Sequence, residues 1–177
     1  MIFFLKILFG IWCLKCYKLN MENKHKIYVV LDNVRSIHNV GSIFRTADCA
    51  GVSKIFLCGV TPSPFDRFGR KRAAFQKVAL GAEENVACEY KKKTEQAIAE
   101  LKREGVKVVA VEQAVNTMSF KRYVVREDTA FIFGAEVDGV AVDVLKKCDE
   151  IIEIPMFGKK ESLNVSVAVG VIMFNVM

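Results

Sequence analysis

Short runs rich in Val, Ile and Phe recur along this chain without polar alternation, and stretches of helical spacing separate them. A strand with water on one face alternates apolar and polar residues; a strand covered on both faces does not. Strands are predicted over Ile27–Leu31, Lys54–Leu57, Lys107–Val111, Thr129–Phe133 and Glu150–Ile154, with a weaker one near Val86–Glu89. Helices are predicted over Val40–Ala50, Arg72–Leu80, Thr94–Glu104, Val142–Lys147 and Leu163–Val176. Thr94, Ala97, Ile98 and Leu101 form the i, i+3, i+4, i+7 stripe of a helix lying on a sheet. The alternation specifies an α/β domain with a mainly parallel sheet flanked by helices. Its 177 residues fit one domain able to bury a core without disulfides or metal.

The first twenty residues do not match the rest. MIFFLKILFGIWCLKCYKLN is apolar with lysines interspersed, and its longest uninterrupted apolar run is Ile7 to Leu14. That falls short of the about 20 residues a spanning helix needs, so no stable membrane insertion is expected. A signal peptide would have a positive region ahead of the apolar run and a small-x-small cleavage site. The reading adopted is a leader over 1–20, a start codon placed too early, with the domain over 21–177. A peripheral anchor ranks second and a signal peptide third.

The net charge of +6 permits a polyanionic partner without demanding one. Among the six cysteines only Cys13 and Cys16 have Cys-x-x-Cys spacing, and neither histidine, His25 or His38, lies near a cysteine pair. No metal is expected, since a closed zinc site takes about four ligands with paired spacing. Scattered single cysteines suit a reducing, cytoplasmic protein. A P-loop is excluded because Val140 and Ala141 follow the Gly134-to-Gly139 spacing, and no strand leads into G-x-G-x-x-G. A Ser-His-Asp triad has only two histidines to draw on, and no serine sits in a nucleophile elbow.

Ligands of parallel sheets bind beyond the carboxyl ends of the strands. Three clusters stand there. In Leu31–Val52, Asn33 and Asn39 follow the strand, Gly41 opens a turn, and Arg45 enters the first turns of the next helix. In Phe131–Val140 a strand leads to Gly134, Glu136 and Gly139. In Ile154–Val171 a turn at Gly158 precedes a helix capped by Glu161 or Ser162. Each has an ordinary reading as a turn, a loop or a cap. Gly59–Arg72 is the one long irregular connection, and such loops are usually functional.

Together the clusters resemble the three signature motifs of the SpoU (TrmH-like) RNA methyltransferases, of the SPOUT superfamily. The first, N-x-G-x-x-x-R, is matched by Asn39, Gly41 and Arg45. The second, F-G-x-E-x-x-G, is matched by Phe133, Gly134, Glu136 and Gly139. The third is matched by Ile154, Pro155, Met156, Ser162, Leu163, Asn164, Val165, Ser166 and Ala168. The order and spacing fit, and the resemblance runs from about Ile27 to the C-terminus.

The resemblance implies a homodimer whose C-terminal part forms a deep trefoil knot, which the strand pattern alone would not suggest. It implies methyl transfer from S-adenosylmethionine to a ribose 2′-hydroxyl of structured RNA, tRNA ahead of rRNA. A non-catalytic RNA-binding module that keeps the cofactor pocket is the alternative. Gly134, Gly139, Ile154, Met156, Ser162 and Leu163 would hold the cofactor, with Val111 and Glu112 as weaker candidates. Glycine at 134 would let a backbone approach the adenosine closely.

Arg45, Asn39, Glu136 and Asn164 would carry the chemistry. In the family picture the arginine is often the base, yet a guanidinium holds its proton in proteins. The competing reading is that Arg45 clamps the phosphate beside the target ribose. Asn39 would orient the ribose or Arg45, Glu136 would fix Arg45 or Asn39, and Asn164 would contact the ribose or the cofactor. Arg67, Arg70, Lys71, Arg72, Lys159 and Lys160 are the RNA-binding candidates. Phe65 and Phe68 are placed to stack on a base or to pack the loop, and Lys91–Lys93 reads as a solvated face.

Overall fold

The computed structural model describes residues 25–115 and 117–177. The leader over 1–20, with Cys13 and Cys16, lies outside them. Strands β1 (Ile27–Asp32), β2 (Lys54–Cys58), β3 (Cys88–Lys91), β4 (Lys107–Val111), β5 (Met118–Ser119), β6 (Thr129–Phe133) and β7 (Glu150–Glu153) form one sheet in the order β3-β2-β1-β6-β4-β7-β5. Every pairing is parallel. All strands therefore end at the same edge.

Helices α1 (Ile37–Ala50), α2 (Ala73–Ala79), α3 (Ala82–Asn85), α4 (Thr94–Arg103), α5 (Val142–Leu145) and α6 (Val165–Val176) cover the sheet. Val29, Leu31, Phe131 and Phe133 face one way, into a core with Val40, Phe44, Phe75, Val169 and Ile172 from α1, α2 and α6. Tyr28, Val30, Ala130 and Ile132 face the other, against Ala97, Ile98 and Leu101 of α4 and Val144 of α5. Every residue of β1 and β6 is buried, which explains the missing alternation.

The structure moves several predicted boundaries. Helix α1 begins at Ile37, because Ser36 caps it by accepting the Asn39 N–H at 3.3 Å. Gly41 accordingly lies inside the helix and opens no turn. A Cβ at Gly41 would sit 3.1 Å from Val78 Cβ and 3.2 Å from the Phe75 carbonyl, so the glycine lets α2 seat against α1. Arg45 falls in the third turn of the helix, later than the spacing suggested. The weak strand shifts from Val86–Glu89 to Cys88–Lys91, since Val86 closes the short α3. The two-residue β5 and α3 were absent from the prediction; both are too short to carry a period.

Two polar clusters fix the layers. Asp32, 2% exposed at the end of β1, accepts from Thr94 Oγ1 at 2.5 Å, Asn33 Nδ2 at 2.9 Å and the Ala141 N–H at 3.3 Å. It thereby ties the starts of α4 and α5 to β1. Lys91 is half-buried and differs from the solvated face expected of it. With Lys54 it brackets Glu89 and Glu100, and Lys54 meets Glu89 at 2.5 Å. Burial pushes the Cys58 thiol up to about 12 and that of Cys148 up to about 11.

The Gly41 contact sets a test. Gly41→Leu should cost about 1–3 kcal/mol by overpacking the α1–α2 seam. Urea denaturation measures it, and an unchanged midpoint would show that α2 yields freely.

Candidate active site

Four connections leave the carboxyl edge of the sheet and meet over β1, β6, β4 and β7. The stretch after β6 is a closed loop. Ala135 and Gly139 exchange main-chain hydrogen bonds at 3.1 and 3.0 Å. Gly139 has φ of +64°, a conformation that favours glycine, and a Cβ there would lie 2.3 Å from Glu112 Oε2. The Glu112 carboxylate accepts the Val140 N–H at 2.8 Å and its neighbour Gln113 N–H at 2.9 Å. Glu112 therefore serves first as the strut that holds this loop to β4.

Gly134 needs its hydrogen side chain for a reason the sequence did not give. A Cβ at this position would lie 2.1 Å from the Gly139 carbonyl carbon and 2.2 Å from the Val140 nitrogen. The loop closes on itself at Gly134, so the constraint arises within the protein before any ligand is considered. A side chain at 134 would open the loop as well as the site.

Beside this loop lies a cavity of about 320 Å³. Val111, Glu112, Gly134, Gly139, Ile154, Met156, Ser162 and Leu163, the eight residues expected to hold a cofactor, all line it. So do Gln113 and Asp138, which sequence reasoning missed, and Glu161 and Ala168, which it placed in the third cluster without a role toward the cofactor. Gln113 ties the wall together: its Nε2 donates to the Glu161 carbonyl at 2.7 Å. No periodicity marks that residue, so only the three-dimensional meeting of β4 with the third cluster finds it. From Met156 to Ser162, the Glu161 carbonyl is the one main-chain group hydrogen-bonded among the described residues. The cavity thus combines apolar walls with main-chain groups of Met156 and Ser162 that make no hydrogen bond among the described residues. A flat heterocycle carrying polar edges suits such a lining.

A chain of side-chain hydrogen bonds crosses the mouth. Asn164 Nδ2 donates to Asn39 Oδ1 at 3.1 Å, and Asn39 Nδ2 donates to Glu136 Oε1 at 2.8 Å. Glu136 Oε2 also accepts the Arg35 N–H at 3.4 Å. Asn164, not Glu161 or Ser162, caps α6: its Oδ1 accepts the Ser166 N–H at 2.9 Å and the Ser166 hydroxyl at 2.6 Å. The asparagine takes this role because its oxygen reaches the second amide of the helix. Ser166 thus braces the cap, a role for which the only sequence signal is a serine two residues after an asparagine. Partial burial pushes the Glu136 carboxyl up, but the Asn39 amide and main-chain donors outweigh it and hold the group below its ordinary value of 4.5.

Arg45 stands apart from this assembly. It is exposed on α1, outside the cavity lining, and its side chain makes no hydrogen bond or ion pair among the described residues. Glu136 therefore fixes Asn39 and not Arg45. Arg35 instead approaches Asp138 at 3.8 Å, with both side chains well exposed. Of the other cations, Arg70 pairs with Asp66 at 2.8 Å and Lys71 with Glu84. Arg72 Nε donates to the Phe65 carbonyl at 3.4 Å. Arg67, Lys159 and Lys160 are exposed and form no ion pair among the described residues. Within the same limits no cluster of His, Cys, Asp and Glu has metal-binding geometry, and no helix is long and apolar enough to cross a membrane.

Comparison with known proteins gives this geometry a context. A family described as the SpoU rRNA Methylase family matches residues 26–174. A tRNA (guanosine(18)-2′-O)-methyltransferase of Aquifex aeolicus is 30% identical over 155 residues, 87% of this chain and 70% of that protein. The 23S rRNA (guanosine-2′-O-)-methyltransferase RlmB of Escherichia coli K12 is 35% identical over 147 residues, 82% of this chain and 57% of that protein. An AdoMet-bound rRNA methyltransferase from Sinorhizobium meliloti superposes with a TM-score of 0.77 at 28% identity, over 86% of this chain and 56% of that one. A structure concerned with 2-OH methylation of C/U34 on tRNA gives a TM-score of 0.72 at 27% identity. That match covers 86% of this chain and 94% of the other. The chain thus spans little more than half the length of several relatives it matches.

The lowered Glu136 value fixes the sign of a pH effect. A carboxyl with a depressed folded-state pKa contributes stability that is present above its ordinary 4.5 and is lost as pH falls through the folded value. Glu136→Gln should therefore melt below the parent protein at neutral pH, with the gap closing in acid. A gap that persists unchanged well below pH 4.5 would show that the charge is not what holds Asn39.

Proposed function

The chain belongs to the SpoU rRNA methylase family, and on that premise we propose that it methylates a ribose 2′-hydroxyl of structured RNA, with S-adenosylmethionine as the donor. The observation that carries the proposal is the cavity lined by Val111, Glu112, Gly134, Gly139, Ile154, Met156, Ser162 and Leu163, with the Asn39–Glu136–Asn164 chain at its mouth. The AdoMet-bound state of the Sinorhizobium meliloti structure supports this choice of cofactor. The main-chain groups of Met156 and Ser162 would take the polar edges of the adenosine, while the Ile154, Met156 and Leu163 side chains would take its faces.

When bound, the cofactor supplies an electrophilic methyl group on a sulfonium. The protein's part is to place the hydroxyl oxygen in line with the carbon–sulfur bond and to provide for its proton, and positioning supplies much of the rate. Asn39 is the orienting group: Glu136 and Asn164 engage both ends of its amide, so its plane is fixed before RNA arrives. Arg45, with no partner of its own, is available to grip the phosphate beside the target ribose in bidentate fashion, leaving a phosphate oxygen to accept the proton. The exposed Lys159 and Lys160, with Arg67, Arg70, Lys71 and Arg72, would neutralise flanking phosphates.

Transfer RNA is the favoured substrate, supported by the tRNA-methylating structure that this chain matches over nearly its full length. Ribosomal RNA is the other outcome. A homodimer is proposed because Val167 and Phe174, seven residues apart, leave α6 with an exposed apolar edge. The C-terminal trefoil knot is proposed too. The chain passes from β6 across β4 to β7 and returns in α6 beside α1, a path that supports threading. A cytoplasmic site of action suits an RNA-modifying protein with free thiols at Cys49, Cys58, Cys88 and Cys148. The domain is proposed to begin at Met21, with 1–20 dispensable.

Tritiated-methyl transfer to total RNA, followed by nuclease digestion, tests the activity; a label on a base nitrogen, or none, would overturn it. Arg45→Ala should keep cofactor affinity by calorimetry and lose methylation by orders of magnitude. Arg45→Lys should recover little of that loss if the grip is bidentate and most of it if charge alone matters. A protein starting at Met21 should bind the cofactor as the full chain does; loss of folding would make the leader structural.

A further inference from the structure

The connection from β2 to α2 carries no helix or strand, as the sequence suggests, but hydrogen bonds order its second half. Residues 64–72 fold back as a tight turn, with Phe65 bridged to Lys71 and the Arg72 N–H bonded to the Pro64 carbonyl at 3.0 Å. Asp66 organises its tip. Its Oδ1 accepts the Phe68 N–H at 2.8 Å and the Arg70 N–H at 2.9 Å, and its Oδ2 accepts Arg70 Nε at 2.8 Å. The Asp66 main-chain N–H donates to the Arg70 carbonyl at 2.9 Å. Gly69, with φ of +76°, makes the reversal possible. At the apex stands Phe68, 66% exposed. The guanidinium of Arg67 lies 4.8 Å from its ring centroid and that of Arg70 5.1 Å.

The Phe68 ring is thus exposed at the end of a turn whose hydrogen bonds hold it in place. Its two neighbours are both cations, but they are not equivalent. Arg70 is pinned by Asp66, whereas the Arg67 side chain lies over the ring and makes no hydrogen bond or ion pair among the described residues. Arg67 is thus the movable cation: it can swing to a phosphate and yield its place over the ring to another flat group. The turn leaves the sheet at the end of β2, on the same edge as the site and beside β1, which leads to Asn39.

We propose that the Arg67–Phe68–Gly69–Arg70 tip reads an unpaired nucleobase of the RNA, by stacking it on Phe68 while Arg67 takes the adjoining phosphate. The substrate class is then an RNA loop or bulge near the methylated ribose, because bases inside a duplex are already stacked and expose no face. Asp66 is the positioning residue, and the held-down value of its carboxyl, set first by the Arg70 N–H, agrees with that task. The inference rests on the RNA-methylating reading of the main site.

The probe is a short RNA hairpin with 2-aminopurine in its loop, compared with the same strand annealed to its full complement. The full chain should bind the hairpin more tightly than the duplex and quench the 2-aminopurine. Phe68→Ala should lose the quench and weaken hairpin binding about tenfold, since base stacking on an aromatic ring is worth about 1–3 kcal/mol. It should leave the salt dependence of binding unaltered. Phe68→Trp should restore both the quench and the affinity. Arg67→Ala should instead lower the salt slope by roughly one phosphate contact. Asp66→Ala should imitate Phe68→Ala, with cofactor affinity unchanged by calorimetry. Equal binding of hairpin and duplex by the parent protein, or a Phe68→Ala protein that quenches and binds like the parent, would overturn the proposal. Tritium transfer to total RNA by the parent protein distinguishes the two failures. If RNA is labelled but the tip is indifferent, only this inference falls; if no RNA is labelled, the function itself falls.

Discussion

Three segments far apart in the sequence are held together at one point by the amide of Asn39. Its nitrogen reaches Glu136, 97 residues away, and its oxygen receives Asn164, 125 residues away. An amide has donors at one end and acceptors at the other, so engaging both fixes the plane of the group. The rest of the mouth is arranged around that fixed plane. Ser36 caps the helix that carries Asn39, Asn164 caps the helix that returns beside it, and the Glu136 loop is bolted to β4 through Glu112. Each cap satisfies amides that a helix start leaves unpaired. Stability and site geometry therefore draw on the same hydrogen bonds.

The glycines follow the same economy of space. Gly134 and Gly139 are required by the loop itself, one by the approach of main chain to main chain and the other by its positive φ and the Glu112 carboxylate. Gly41 is required by the approach of one helix to another. A motif glycine is easily credited to a ligand. Here the protein's own atoms already exclude a side chain at Gly134 and Gly139 and crowd one at Gly41, so the glycines come before any ligand in the physical account.

Much of this was legible in the sequence, and the reasons are particular. β1 and β6 are buried on both faces, so their composition had to be continuous and their limits could be read almost to the residue. Strand ends pointed only to the three clusters, because a parallel sheet places its binding loops there; the eight cavity residues within and beside those clusters came from the resemblance of the clusters to a family's motifs. What escaped depended on distance in sequence or on shortness. Gln113 matters only because Glu161 arrives beside it; β5 and α3 are shorter than any period; the start of α1 was set by a serine cap that outweighed the apolar pattern. The turn over 64–72 looked irregular because its order comes from one carboxylate, Asp66, and not from periodicity.

The position of Arg45 bears on how such a site can work. The cavity, its main-chain lining and the asparagine chain form one connected, mutually braced assembly, while Arg45 is exposed on α1 with no partner among the described residues. A group meant to hold a cofactor would be braced as Glu112 is. A group meant to grip a flexible polyanion gains from staying unpaired until that polyanion arrives, because a prior ion pair would have to be broken first. Arg67 shows the same contrast against the pinned Arg70. In the proposed reaction the braced residues would define where the methyl group sits, and the two unpaired arginines would define where the RNA is brought to meet it. Changes to the first set should then alter cofactor affinity, and changes to the second should alter the use of RNA while leaving the cofactor in place.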